Sequence, residues 1–235
     1  LENRSESILE VDGLRIAMPC QTAHRWGEQA GQKILPRVFI SEHGSHMIAR
    51  RCDGAMPGLV VVPAQGSAWE YMDLGASVDE AYDNNHQVDI ALYFHSEERV
   101  EKHQAMASKR HHEPTRITLK PGQQAAYHLS YTWAHDEESV QTELIEEGLA
   151  TLEVVPGYTV QVETEVKLLV RTRAGMPQVR AADPLDLLDA RAIDAERYLL
   201  RFRFKRLGQH ELHLTFQDGR RMYATFFATE ATETL

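Results

Sequence analysis

Cysteine is scarce in this chain of 235 residues, with only Cys20 and Cys52 present. Two thiols are too few for a disulfide framework, so the fold has to rest on an apolar core. Both fall at the ends of strand-like stretches, where one bridge is geometrically possible and two buried reduced thiols fit the pattern at least as well. Positive charge is short too: 25 lysines and arginines face 35 acidic side chains, a formal net charge of −10. Such a surface repels phosphate backbones and anionic lipid, which argues against nucleic-acid binding. Basic clusters occur at Arg50-Arg51, at 109–112 and at 201–206; the last alternates with phenylalanine, as one wet face of a strand does. Long apolar runs are missing as well. The longest stretch, near 59–64, is strand-sized, well below the ~18 residues of a membrane-spanning helix. No basic stretch followed by an apolar one opens the chain, so no signal peptide is visible. Nucleophile elbows, phosphate-binding glycine loops and dinucleotide fingerprints are also missing.

What is present is a β pattern. The apolar fraction of 43% is that of a globular protein, and the length lies between one large β domain and two ordinary ones. In the first part, strands are expected over 8–18, 34–40, 47–52, 58–63, 69–74, 88–95, 116–119 and 126–133. Each run alternates or is bounded by glycine, proline or asparagine. Residues 96–114 are charged and read as a long exposed loop or a frayed helical turn.

One helix is expected, over about 137–147. Asp136 is its N-cap candidate, acidic residues fill the first turn, and Val140, Leu144 and Ile145 form an apolar stripe. Gly148 stands where a left-handed C-cap is wanted. Beyond it the pattern returns to strands at 149–155, 159–172, 178–181, 197–204, 209–216 and 221–229, with 183–194 as loop or short helix. Asp218-Gly219 between two alternating runs is a strong hairpin signal. The fold class is therefore mainly β: two β-sandwich-like units, the second immunoglobulin-like, joined by a short α-helix. The expected divisions are 1–133, a connecting helix at 134–148, 149–229, and a linker at 230–235.

Twelve histidines invite a metal reading. Only His43 and His46 lie close together, across a Gly-Ser turn, and a zinc site needs three or four converging ligands, so no metal or cofactor is expected. The aromatic residues are more informative. Trp26 with His24 and Arg25, and Trp69 with Glu70 and Tyr71, stand at the edges of expected strands. Sugar rings stack their C–H faces on indole while neighbouring polar groups bind the hydroxyls. A tryptophan closing one end of a sandwich core would look the same in sequence. The candidate substrate contacts are thus His24, Arg25, Trp26, His43, His46, Trp69 and Tyr71; Trp133, at a strand end before the helix, reads as packing.

The second half carries a family resemblance. The runs 143–149 (ELIEEGL), 154–160 (VVPGYTV), 168–172 (LLVRT), 206–210 (RLGQH), 218–220 (DGR) and 226–230 (FFATE) resemble a bacterial family of unknown function. Residues 39–44 (FISEHG) and 49–51 (ARR) extend the likeness into the first half. Members of that family are similar to six-hairpin glycosidases, in which a β-sandwich region leads into an (α/α)₆ toroid. The resemblance implies an accessory β portion of a carbohydrate-active protein, with an oligo- or polysaccharide and a C-terminal helical domain as partners. It also favours an extracytoplasmic location. The chain opens on Leu1 and stops at Leu235 without that toroid, so it is expected to be part of a longer protein and not catalytic alone. A structural or protein-interaction module is the competing reading, and a stand-alone hydrolase or lyase built on His24, His43 or His46 a third.

Overall fold

Alternation of apolar and polar side chains turns most of this chain into strands. A computed structural model describes residues 1–20, 29–73, 89–102, 114–181 and 185–230. The chain divides into two compact units, Leu1–Val140 and Gln141–Leu235. Both are β structures, and among the described residues there are two α-helices. His24, Arg25 and Trp26 lie outside the described residues.

In the first unit the strands are β1 (Leu9–Val11), β2 (Leu14–Pro19), β3 (Ile34–Phe39), β4 (His46–Arg51), β5 (Gly58–Ala64), β6 (Tyr71–Asp73), β7 (Asp89–His95), β8 (Ile117–Leu119) and β9 (His128–Ala134). They form a four-stranded sheet in the order β3-β4-β5-β9, a three-stranded sheet β2-β7-β6 and a β1-β8 pair. Met47 and Val61 from the larger sheet pack against Ile90, Leu92 and Phe94 from β7, with Trp69 closing the cluster. Two sheets sharing one apolar layer is a sandwich. Helix α1 (Glu97–Lys102) begins the charged stretch after β7.

Helix α2 (Glu137–Glu146) starts at a reciprocal cap. The Ser139 N–H donates to Asp136 Oδ1 at 2.7 Å, and the Asp136 N–H donates back to Ser139 Oγ at 2.9 Å. The Ser139 N–H holds the Asp136 carboxyl below the usual carboxylate range. At the other end, the Leu149 N–H reaches the Leu144 carbonyl at 2.8 Å and the Gly148 N–H the Ile145 carbonyl at 3.0 Å. This is the Schellman pattern, which needs a left-handed residue, and Gly148 has φ +85°. A Cβ there would also crowd Arg220 Nη1, a flexible end that can move. Gly148→Ala should therefore destabilise the protein by about 1–2 kcal/mol, chiefly through the backbone. Urea denaturation of the two proteins measures it.

The second unit contains β10 (Thr151–Val155), β11 (Thr159–Gln161), β12 (Val166–Arg171), β13 (Gln178–Ala181), β14 (Leu185–Ala192), β15 (Arg197–Phe204), β16 (Gly208–Thr215) and β17 (Arg221–Thr229). One sheet runs β10-β12-β15-β14 and the other β11-β17-β16-β13. Leu168, Leu200, Phe202 and Phe204 of the first meet Leu212, Leu214, Met222 and Phe226 of the second in one core. The Phe202 and Phe226 rings cross at 5.5 Å and 87°, joining the two sheets edge to face. Arginines on β15 point the other way, and Arg201 makes a two-pronged pair with Glu165 at 2.8 and 2.7 Å.

Two expectations change, and one left open is decided. Residues 159–172 are not one strand: Glu163, at φ 64°, turns the chain so that β11 and β12 enter different sheets. The stretch 183–194 contains strand β14, because pairing with β15 outweighs a run rich in leucine and aspartate. Cys20 and Cys52 are not bridged: both are thiols, Cys20 buried as the second alternative had it and Cys52 exposed.

Candidate functional site

One group of interacting polar residues in the first unit lies on the three-stranded sheet. Strand β7 directs Ile90, Leu92 and Phe94 into the core, so Tyr93 falls on the opposite face. Register places Arg15 of β2 and Tyr71 of β6 on either side of it. Arg15 Nη1 donates to the Tyr93 hydroxyl at 3.2 Å, and the two tyrosine rings meet edge-on at 5.7 Å. Asp73, next but one after Tyr71, accepts from Arg99 Nε of α1. Burial, with the Asp73 charge second, pushes the Tyr71 phenol up.

A second group lies at the end of β7. Glu70 Oε1 accepts from the Ser96 N–H at 2.5 Å, from Ser96 Oγ at 2.7 Å and from the Thr115 N–H at 2.9 Å. Its other oxygen accepts from Thr115 Oγ1 at 2.7 Å. His95 Nδ1 lies 2.7 Å from that same Thr115 oxygen, and His95 Nε2 lies 2.6 Å from the Tyr127 hydroxyl. Burial lowers the His95 imidazole, partly offset by the Glu70 charge, and burial raises the Tyr127 phenol. Four separate segments thus converge on one hydrogen-bonded chain.

The anticipated contacts fare unevenly. Tyr71 belongs to the first group, and Glu70, between Trp69 and Tyr71, anchors the second. Trp69 itself is 0% exposed and part of the core, so its indole offers no face to a sugar. Its packing role, visible in sequence only as an alternative, is the one the fold uses. His46 is half-buried, tilted against Phe39 at 5.3 Å, with Nδ1 3.0 Å from the Gly44 carbonyl of its own turn. Burial holds its imidazole below the ordinary histidine range. His43 is half-buried in the same turn. Among the described residues, no three His, Cys, Asp or Glu side chains converge as a metal site.

Trp133 reverses in the other direction. Expected to pack, it is 59% exposed, and Tyr131 on the same strand is 52% exposed. Tyr131 pairs with Val61 and Trp133 with Leu59, so both rings stand on the core-facing side of the larger sheet. Leu129 and Tyr127 pack on the core, whereas the two rings further along reach water. The signal in sequence was the spacing of Tyr127, Leu129, Tyr131 and Trp133 at every second position.

The whole chain, residues 1–235, matches the model of a family of unknown function, DUF5695. The chain belongs to this family. Among solved structures, a polysaccharide lyase is similar in fold, with a TM-score of 0.72 at 11% sequence identity. The match covers 98% of this chain and 31% of that protein, so the chain spans about a third of its length. No curated protein matches. No helix among the described residues is long and apolar enough to cross a membrane.

Proposed function

We propose that this family member is the β-sandwich portion of a larger carbohydrate-active protein and contributes a polysaccharide-binding surface to it. The observation that carries the reading is the fold likeness, which extends over 98% of the chain to a polysaccharide lyase. The relation to six-hairpin glycosidases, a cleft completed by an (α/α)₆ domain and an extracytoplasmic location belong to the same proposal. So does an immunoglobulin-like second unit. The order β10-β12-β15-β14 against β11-β17-β16-β13, with β11 parallel to β17, supports it.

For the sugar contact, Tyr131 and Trp133 replace Trp69. Exposed amphipathic rings two residues apart on one strand face offer stacking surfaces in a row, with Tyr71 and Arg15 as further polar contacts elsewhere on the unit. A glycan array probed with the chain, followed by titration of the saccharide bound, tests this. Trp133→Ala should weaken binding about tenfold, ~1.4 kcal/mol, and leave the unfolding transition in place. Binding that is unchanged in Trp133→Ala and Tyr131→Ala would remove the surface from the proposal.

A structural or protein-interaction module is the second reading. Phe227, 52% exposed beside the buried Phe226, favours it as an apolar point on the second unit. Under that reading the array stays blank.

A further inference from the structure

Hydrogen-bond direction in the Glu70–Thr115–His95–Tyr127 chain follows from the donors available. A carboxylate only accepts, so the single hydroxyl proton of Thr115 lies toward Glu70 Oε2, 2.7 Å away. Thr115 Oγ1 then faces His95 Nδ1, at 2.7 Å, as an acceptor, and Nδ1 must carry the imidazole proton. In a neutral ring that leaves Nε2 with a free lone pair. The group 2.6 Å from it is the Tyr127 hydroxyl, which therefore donates. One tautomer satisfies every contact.

We propose that Tyr127 and His95 form a proton-transfer pair, with Thr115 and Glu70 as positioning residues that hold the imidazole with Nε2 open toward the phenol. The proposal deepens the saccharide reading and rests on it for the ligand. Tyr127 directly precedes β9 and packs on the core cluster with Leu129, while Tyr131 and Trp133 further along that strand are exposed. Four extended residues span at most roughly 13 Å, so Tyr127 and Tyr131 are within reach of one oligosaccharide. In the step itself, a ligand O–H gives its proton to the Tyr127 oxygen while the phenol proton passes to His95 Nε2. The products are a ligand alkoxide, an unchanged phenol and an imidazolium, whose charge faces the Glu70 carboxylate through Thr115. No oxidant or co-reactant is involved.

Two features separate this from a tie that merely closes the segment between Ser96 and Thr115. Glu70 already holds that segment through the Ser96 and Thr115 N–H groups, without help from His95 or Tyr127. Tyr127 and His95 are also only half-buried, so neither ring is sealed in the core.

The test uses the full chain without saccharide. A tyrosine-directed aryl sulfonyl fluoride is reacted at neutral pH, and modified residues are mapped by mass spectrometry. In that reaction the phenol oxygen bonds to sulfur, fluoride leaves and His95 takes the phenol proton. Proton transfer by a positioned base contributes ~10²–10⁴-fold, so Tyr127 should react at least about tenfold faster than the exposed Tyr131. His95→Asn should abolish that advantage and leave Tyr131 unchanged. Equal rates at the two tyrosines, or a rate at Tyr127 that ignores His95→Asn, would overturn the pair. Nitrogen-15 NMR of the unmodified protein gives a readout independent of any variant. His95 should show a protonated Nδ1 and a bare Nε2, and the opposite tautomer sinks the proposal. Failure here leaves the glycan-binding test standing, and a blank glycan array leaves the pair's chemistry standing.

Discussion

Trp69→Ala should destabilise the first unit by about 3–5 kcal/mol, the range for deleting a large buried aromatic side chain. The indole is 0% exposed and packs with Met47, Val61, Ile90 and Leu92, drawn from both sheets of the sandwich. Those neighbours belong to paired strands that cannot collapse far into the space left behind, so most of the cavity would persist. The indole N–H has no acceptor among the described residues, so truncation strands no hydrogen-bond partner. The cost is therefore cavity and lost burial alone. Urea denaturation followed by far-UV circular dichroism measures it, and Trp69→Phe should recover most of the loss. A cost under about 1 kcal/mol would contradict the core placement and reopen the indole as a sugar contact.

Phe226→Ala should have an effect of similar size on the second unit, again about 3–5 kcal/mol. Its ring lies 5.5 Å from Phe202 and 5.3 Å from Phe204, centroid to centroid, on the facing sheet. Tyr158 covers it at 5.3 Å on its own side. Removing the ring empties the point where the two sheets interlock. The second unit, from Gln141 on, has no tryptophan, whereas Trp69 and Trp133 lie in the first. Far-UV ellipticity should thus report the loss, while tryptophan fluorescence reads whether it stays within the second unit. A shift below about 1 kcal/mol would mean that the sheets do not depend on this contact.

Much of the fold was legible in the residues because strand and helix signals are local. Helix α2 carries its own start at Asp136 and Ser139 and its own stop at Gly148, and each is a contact within a few positions. The alternation in 201–206 put the basic side chains on one wet face, and in β15 Phe202 and Phe204 are indeed buried while Arg201 and Arg203 are not. Strand β14 was harder, since Leu185–Ala192 is short of β-branched residues and extended only by pairing with β15. The break between β11 and β12 was hidden for a related reason. Both halves alternate, and only the sheet each one joins separates them.

The site was less legible, and the two tryptophans show why. Trp69 and Trp133 both stand at strand ends with polar neighbours, so sequence treats them alike. Which ring is covered depends on how the two sheets pack on each other. Trp69 lies in the apolar cluster that the two sheets share, and Trp133 is left out of it. Glu70, His95, Thr115 and Tyr127 lie up to 57 positions apart (127 − 70) and share no motif, so no local pattern could have joined them. By itself, then, the sequence determined a mainly β chain, its helix with both caps, and an acidic surface, because those follow from neighbours along the chain. Tertiary structure alone decided which aromatic rings meet water and which polar groups meet each other. Both depend on the lengths and stacking of sheets whose strands are distant in sequence.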